Sequence, residues 1–348
     1  MNSIALKRVV VAMTFALAAS VAAPASSVAQ EVKLRAHHFL GPVSPQHKDF
    51  LVPWANKIAK DSGGRLKIEV YPSMTLGGAP PQLFDQVKDG VVDIAWTLIG
   101  YTPGRFPRTE VFELPFVHGN ALSTTLALQD FYQRNLQDEF KDVHVLLLHS
   151  HDGNLFHSKK PIRSMANLKA MTIRTPSTAG TLLLEALGAN PYHSPVPAVP
   201  QLLSKGVVDA VMIPYEIVPA LKVHEAVKYH VDVTGPRMNT SVFMLVMNKN
   251  SYNKLSADLK KVIDDNSRMN LASVAGRIWI DVEKPGQAMA KARGNEFITL
   301  DAAETAKIKA AGEKAIDRWV AEVAKKGVNG RALLKDARET LARHAGAK

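Results

Sequence analysis

Gly90-Val91-Val92-Asp93 recurs in this chain as Gly206-Val207-Val208-Asp209. Each copy follows Pro-Gln-Leu, at Pro81-Gln82-Leu83 and at Pro200-Gln201-Leu202. Each runs on into an apolar stretch, Ile94-Ala95-Trp96 and Ala210-Val211-Met212. The spacing from Pro to Gly is shorter in the second copy by close to one helical turn. Both copies read the same way. A helix ends, Gly takes the left-handed cap, and the chain enters a buried strand directly. Two copies predict two similar α/β lobes, and two lobes predict a cleft, a preferred place for small ligands.

The N-terminus reads as an export signal. Lys7 and Arg8 precede an apolar run from Val9 to Ala19, too short to span a bilayer, and Ser27-Val28-Ala29 fits a cleavage site before Gln30. No later stretch approaches the roughly 18 consecutive apolar residues of a membrane span, so the mature chain is expected not to insert. There is no Cys, which removes disulfides, thiolate catalysis and Cys-ligated metal. Export without Cys points to a bacterial periplasm. The net charge of +11 is scattered. Without a Lys/Arg block or an aromatic-basic motif it does not point to nucleic acid; a positive field suits anionic small molecules.

The periodicity predicts a strand over Val32–Ala36, a helix from a Ser44 cap to about Ala59, and strands at Leu66–Tyr71 and Val143–Leu148. A second lobe is expected to begin near Gly153. Pro191, Pro195, Pro197 and Pro200 are expected to bar regular structure before the second repeat. Ser256–Lys291 reads as mostly helical with a break at Pro285. Asp301 with Glu304 is a capping box for a helix to about Lys325, and Asn329 opens the last helix.

His37-His38 and His149-Ser150-His151 sit at strand ends, where an H-x-H pair can ligate zinc. A further ligand set is not apparent, and there is no H-E-x-x-H, G-x-S-x-G, G-x-G-x-x-G or Walker loop. Two classes stay open on this reading: a binding module without bond chemistry, and an exported metal-dependent hydrolase using His149 and His151. In Ile173-Arg174-Thr175-Pro176 the Arg ends a short strand and is fixed by the following Thr-Pro. A held guanidinium can grip a carboxylate through two parallel N–H···O bonds.

The segment from Pro161 to Ala210 resembles the solute-binding proteins of tripartite ATP-independent periplasmic (TRAP) transporters, of the dicarboxylate-binding type. The likeness rests on Ile173-Arg174-Thr175-Pro176, Gly188-Ala189-Asn190-Pro191 and Gly206-Val207-Val208-Asp209. It extends to Gly77-Gly78, Gln82, Gly90–Ala95, Phe106-Pro107 and Leu114-Pro115-Phe116. The resemblance implies a two-lobed α/β periplasmic binding protein fold with crossing strands, an interdomain cleft and long C-terminal helices. After a signal at 1–29, the expected lobes are 30–150 with 240–279, and 151–239 with 280–348. It implies no enzyme activity and no cofactor, with membrane permease subunits as partners. Arg174 falls on the family's carboxylate-clamping arginine, Asn239 on a position that often gives a second carboxylate contact, and Lys160 where some members carry another arginine.

The sequence departs from the family where Ala198 and Pro200 replace a usual Glu and aromatic. It departs again where Ala210-Val211-Met212-Ile213-Pro214 replaces Gly-Gln-Glu-Asn-Pro, making that wall more apolar. First-lobe candidates for the cleft are His37, His38, Phe39, Trp96 and Tyr101; Phe156, His157 and Phe243 come from the crossing strands. One firm arginine in an aromatic lining predicts a monocarboxylate of aromatic, 2-oxo or 2-hydroxy character. A second cation from Lys160 would favour a dicarboxylate. Tyr215 and Glu216 are candidates to contribute in place of the lost carboxylate, with no position assigned on this reading.

Overall fold

The computed structural model describes residues 31–347; the expected signal and its cleavage site lie outside the described residues. Both repeat copies fold as expected. The helix Leu83–Lys88 ends, Gly90 takes φ 76°, and strand Ile94–Leu98 is buried throughout. The helix Val199–Ser204 ends, Gly206 takes φ 70°, and strand Ala210–Ile213 is buried throughout. Positive φ costs Gly nothing, so the chain reverses into the sheet without a further turn.

The Asp of each copy braces the neighbouring parallel strand. The Asp93 N–H donates to the Arg35 carbonyl (3.1 Å), and its carboxylate accepts the Arg35 N–H (2.8 Å). The Asp209 N–H donates to the Thr172 carbonyl (2.8 Å), and its carboxylate accepts the Thr172 N–H (3.0 Å). A short acceptor side chain at a strand entry satisfies a backbone donor that the ladder has not yet reached. The same brace twice makes His37 and Arg174 equivalent positions, each two residues beyond the braced one.

The strands form two sheets. The first contains β1 (Val32–His38), β2 (Leu66–Tyr71), β3 (Ile94–Leu98), β4 (Val143–Ser150) and β10 (Val242–Asn248), in the order β2-β1-β3-β10-β4. The second contains β5 (Leu155–Ser158), β6 (Thr172–Thr175), β7 (Asn190–His193), β8 (Ala210–Ile213), β9 (Tyr229–Val233) and β11 (Glu296–Leu300), in the order β11-β9-β5-β8-β6-β7. Each sheet is parallel except for one antiparallel strand, β10 in the first and β5 in the second. Those strands mark where the chain crosses, from β4 to β5 and from β9 to β10. The crossing segments bind each other: the Asn154 N–H donates to the Asn239 carbonyl (2.7 Å), and the Thr240 hydroxyl donates to the His151 carbonyl (2.9 Å).

Two expectations about the elements needed correction. Pro191 does not bar a strand, because β7 is the edge of its sheet and Pro there gives up no ladder bond that the sheet needs. The helical run after Ser256 breaks between Asp265 and Arg268 and again at Val282, ahead of Pro285. Pro285 sits in the first turn of Glu283–Ala292, where its missing N–H has no helical partner to lose. The helix Gly330–His344 packs against Ala121–Phe131, which covers the first sheet, while Ala302–Ala324 packs against Thr178–Ala186 beside the second. Asp301 caps its helix by accepting from the Glu304 N–H, but the box does not close, because the Glu304 carboxylate accepts the Met165 N–H instead; Asn329 accepts from the Ala332 N–H as read.

Candidate functional site

A small cavity lies between the C-terminal ends of β3 and β6. From the first sheet and its loops come Phe39, Leu40, Gln46, Trp96, Leu98, Tyr101 and Phe243. From the second come Arg174, Pro176, Val196, Ile213 and Glu216, and from the crossing segments His151, Asn154 and Ser241.

Arg174 supplies the charge. Its side chain is buried, at 1% exposure. Nε and Nη2 both donate to the Ser194 carbonyl (2.9 and 2.6 Å), and Nη1 lies 3.4 Å from the Met212 carbonyl. Ser194 follows the edge strand β7, so the strand that the prolines concealed holds the guanidinium in place. No carboxylate pairs with Arg174 among the described residues. Burial pushes its pKa down to about 10, and the Tyr101 phenol beside it acts the other way. It is therefore still a cation at neutral pH. A buried cation without an acid is costly, and the cavity beside it suits an anion.

The opposite wall is aromatic. Phe39 stacks on Trp96 at 5.1 Å between ring centroids, and Trp96 stacks on Phe243 at 4.9 Å. The Trp96 indole is fixed by its N–H, which donates to His149 Nε2 (2.9 Å). That bond makes Nε2 an acceptor and leaves the proton on the buried Nδ1. His151 Nδ1 likewise accepts the Gly153 N–H (3.0 Å). Burial, aided by Arg237, keeps the His151 ring neutral, so its proton sits on Nε2. The H-x-H pair is thus a packing and donor element, and its geometry does not favour the hydrolase alternative.

The structure brings Arg174, Trp96 and Phe243 to one cavity, together with Phe39 and Tyr101. The other expected residues lie elsewhere. His37 Nδ1 donates to Gln86 (2.8 Å) while its Nε2 accepts the Leu76 N–H (3.3 Å). His38 pairs with His47 (2.9 Å), and His157 with His230 (2.6 Å). Phe156 lies in the apolar core of the second sheet with Ile173 and Met212, because pleating sends it to the face away from the cavity. Lys160 is exposed and pairs with Asp209 of the repeat brace. Asn239 is held in the crossing, where its side-chain oxygen accepts from Asn154 (3.2 Å). Gln46 and Asn154 were not legible as site residues, and Glu216 was named only as a substitute for the lost carboxylate, without a position. The one sequence signal was an acid alone within the apolar stretch from Met212 to Pro219.

Three contacts tie the two sides of the cavity together. The Val196 N–H donates to the Tyr101 hydroxyl (2.8 Å), Gln46 Nε2 donates to Glu216 Oε1 (2.9 Å), and His193 Nε2 lies 3.0 Å from the carbonyls of both Gly100 and Pro176.

Buried histidines set a pH dependence. Burial pushes His38 and His149 down to about 3, and His118 and His230 down to about 4; His151 and His157 also fall well below their ordinary value. A depressed histidine contributes stability that is complete above about pH 6.5 and is lost as pH falls, because only the unfolded chain takes up the proton. Glu113, raised by burial to about 8, acts in the opposite sense, as do Glu110, Glu139, Asp152, Glu216 and Glu283, also raised by burial. With His37, His47 and His144, also lowered by burial, nine histidines stand against these six acids, so the thermal midpoint should fall between about pH 6.5 and 4.5. Calorimetric scans across that range check this; a rising midpoint would contradict it.

The profile of the bacterial extracellular solute-binding proteins, family 7 (DctP), matches residues 36–322. The outer membrane transporter protein TsaT of Comamonas testosteroni is 31% identical over 90% of this chain and 93% of its own. A TRAP solute-binding protein from a marine metagenome, solved with 3-hydroxybenzoate and described as specific for aromatic acid ligands, is 42% identical with a TM-score of 0.89, over 90% of this chain and 99% of its own. A TRAP solute-binding protein of Rhodoferax ferrireducens, solved with copurified benzoate, is 42% identical with a TM-score of 0.88, over 90% and 98%. With this match, the two-lobed fold and the buried arginine, the chain belongs to the family 7 extracellular solute-binding proteins, the non-enzymatic receptors of TRAP transporters.

Proposed function

We propose that this protein captures an aromatic monocarboxylate in the periplasm and delivers it to the membrane permease subunits of a TRAP transporter. The observation that carries the reading is Arg174, a buried cation without an acid among the described residues, facing a wall of stacked aromatic rings. The ligand carboxylate takes two N–H bonds from the guanidinium, and the ring slots against Trp96 and Phe243. Charge-assisted bonds contribute roughly 1.5–3 kcal/mol each. With an apolar ring buried at ~25 cal/mol per Å², micromolar affinity is within reach, about −8 kcal/mol. The benzoate and 3-hydroxybenzoate held by the two relatives support this class. A dicarboxylate finds less support, because Lys160 is engaged by Asp209 and Asn239 by Asn154.

Closure follows from the chain path. The halves pivot about the crossing segments at 151–154 and 234–241, and the Tyr101–Val196 and Gln46–Glu216 bonds form as they meet. Tyr101→Phe removes the acceptor for the Val196 N–H and the phenol beside Arg174; titration calorimetry should find ligand affinity lowered about fivefold, consistent with one lost hydrogen bond.

A thermal-shift and calorimetry screen tests the assignment with benzoate, 3-hydroxybenzoate and mandelate against succinate and malate. A bound acid stabilises the folded chain by mass action, by about 2.7 kcal/mol at one hundred times Kd, and so raises the midpoint. Stabilisation by succinate or malate with none by the aromatic acids would refute it.

A further inference from the structure

Glu216 places a carboxyl in the wall of a cavity that otherwise suits an anion. It is buried, and it does not neutralise Arg174. Its backbone is fixed: the Glu216 N–H donates to Glu283 Oε1 (2.9 Å), and Glu283 Oε2 in turn accepts from Arg237 (2.6 Å). Gly286 has no side chain to keep its helix off the Tyr215 backbone, so the turn carrying Glu216 is pressed against a rigid support. The side chain is half satisfied. Oε1 accepts the Gln46 amide, while Glu216 Oε2 and Gln46 Oε1 have no partner. Burial and the nearby Glu283 raise the pKa of the acid well above the usual range. Oε1 is already an acceptor, so the proton resides on Oε2. The pair therefore offers one free donor, Glu216 Oε2–H, beside one free acceptor, Gln46 Oε1.

A hydroxyl matches that combination, since it donates once and accepts as well. A ring hydrogen or methyl group would leave both buried atoms unpaired, and sites of that kind reject the analogue that lacks the polar group. We infer that Gln46 and Glu216 together read a hydroxyl on the ligand, so that the preferred solute is a hydroxylated aromatic monocarboxylate. The inference rests on the aromatic-acid reading and goes beyond it by separating benzoate from its hydroxylated forms. The neutral acid also spares the ligand carboxylate a like charge, leaving Arg174 as the anion partner.

Titration calorimetry with benzoate, 3-methylbenzoate and the three hydroxybenzoates tests it. The best hydroxybenzoate should bind at least about tenfold more tightly than benzoate or 3-methylbenzoate. In Glu216→Leu that ratio should fall to about one. In Glu216→Gln most of it should persist, because an amide N–H can stand where the acid proton was. Benzoate within twofold of every hydroxybenzoate in the unaltered protein would overturn the inference, and would mean that the acid and amide close only on each other. A ratio that survives in Glu216→Leu would also overturn it. If none of the aromatic acids binds, the parent reading falls and takes this one with it; if benzoate binds without preference, only this one falls.

Discussion

Replacing Arg174 with Met should weaken binding of the aromatic acid at least a hundredfold while leaving the ligand-free thermal midpoint level or higher. Both halves of that result follow from one environment. In the bound state the guanidinium supplies two charge-assisted hydrogen bonds at roughly 1.5–3 kcal/mol each. Their loss leaves a carboxylate unpaired in a site with little water, and a residue close in volume cannot replace them. In the free protein the same cation is buried against backbone carbonyls and the Tyr101 phenol, with no acid among the described residues. Removing an uncompensated buried charge relieves a cost. Calorimetric titration and a thermal scan of the same preparation read the two effects. Affinity within tenfold of the unaltered protein would remove Arg174 from the clamp. Arg174→Lys should fail nearly as badly, since a point charge cannot keep the bidentate grip or both bonds to Ser194.

Gly100→Ala should weaken the ligand by about five- to 150-fold without adding or removing any polar group. Gly100 follows β3, and a Cβ there would meet the Pro176 carbonyl at 2.6 Å and Ser177 Cβ at 2.8 Å. Pro176 and Ser177 follow β6 on the other side of the cavity. The clash exists only while the two sides touch, so its cost, roughly 1–3 kcal/mol for one methyl pressed into a packed contact, falls on closure. The open form escapes it, and the ligand-free thermal midpoint should move much less than the affinity. Unchanged affinity would mean that the liganded protein does not bring these two turns together.

The repeat was legible because everything it needs is local. A helix end, a left-handed Gly and an apolar strand lie within a few residues, so Gly90 and Gly206 announce β3 and β8 directly. Arg174 was legible because the family motif surrounds it, and Trp96 and Phe243 because they stand on strands long enough to show their pattern. Strands β5 and β7 were too short for periodicity to reveal, and β7 carries a proline that only an edge position excuses. Among adjacent residues, no sequence rule tells which faces the cavity. Phe156 went to the core for that reason, and the histidine pairs were drawn inward by partners remote in sequence, such as Gln86 for His37 and His230 for His157. Gln46 opens the helical segment Gln46–Leu51 and Glu216 sits in the short helical turn Tyr215–Ile217, far apart in sequence. Their meaning arises only when tertiary folding sets them 2.9 Å apart.

The buried Arg174 cation, with no acid beside it among the described residues, has a practical corollary for anyone preparing the protein. A chamber of fixed positive potential scavenges from its surroundings, so cells grown on lignin-type or other aromatic feedstocks should yield protein already loaded with cargo. Acetate or formate buffers should act as weak competitors that flatten titration curves. Unfolding in denaturant, exhaustive dialysis and refolding before any measurement would empty the chamber, and mass spectrometry of the dialysate would name what it had carried.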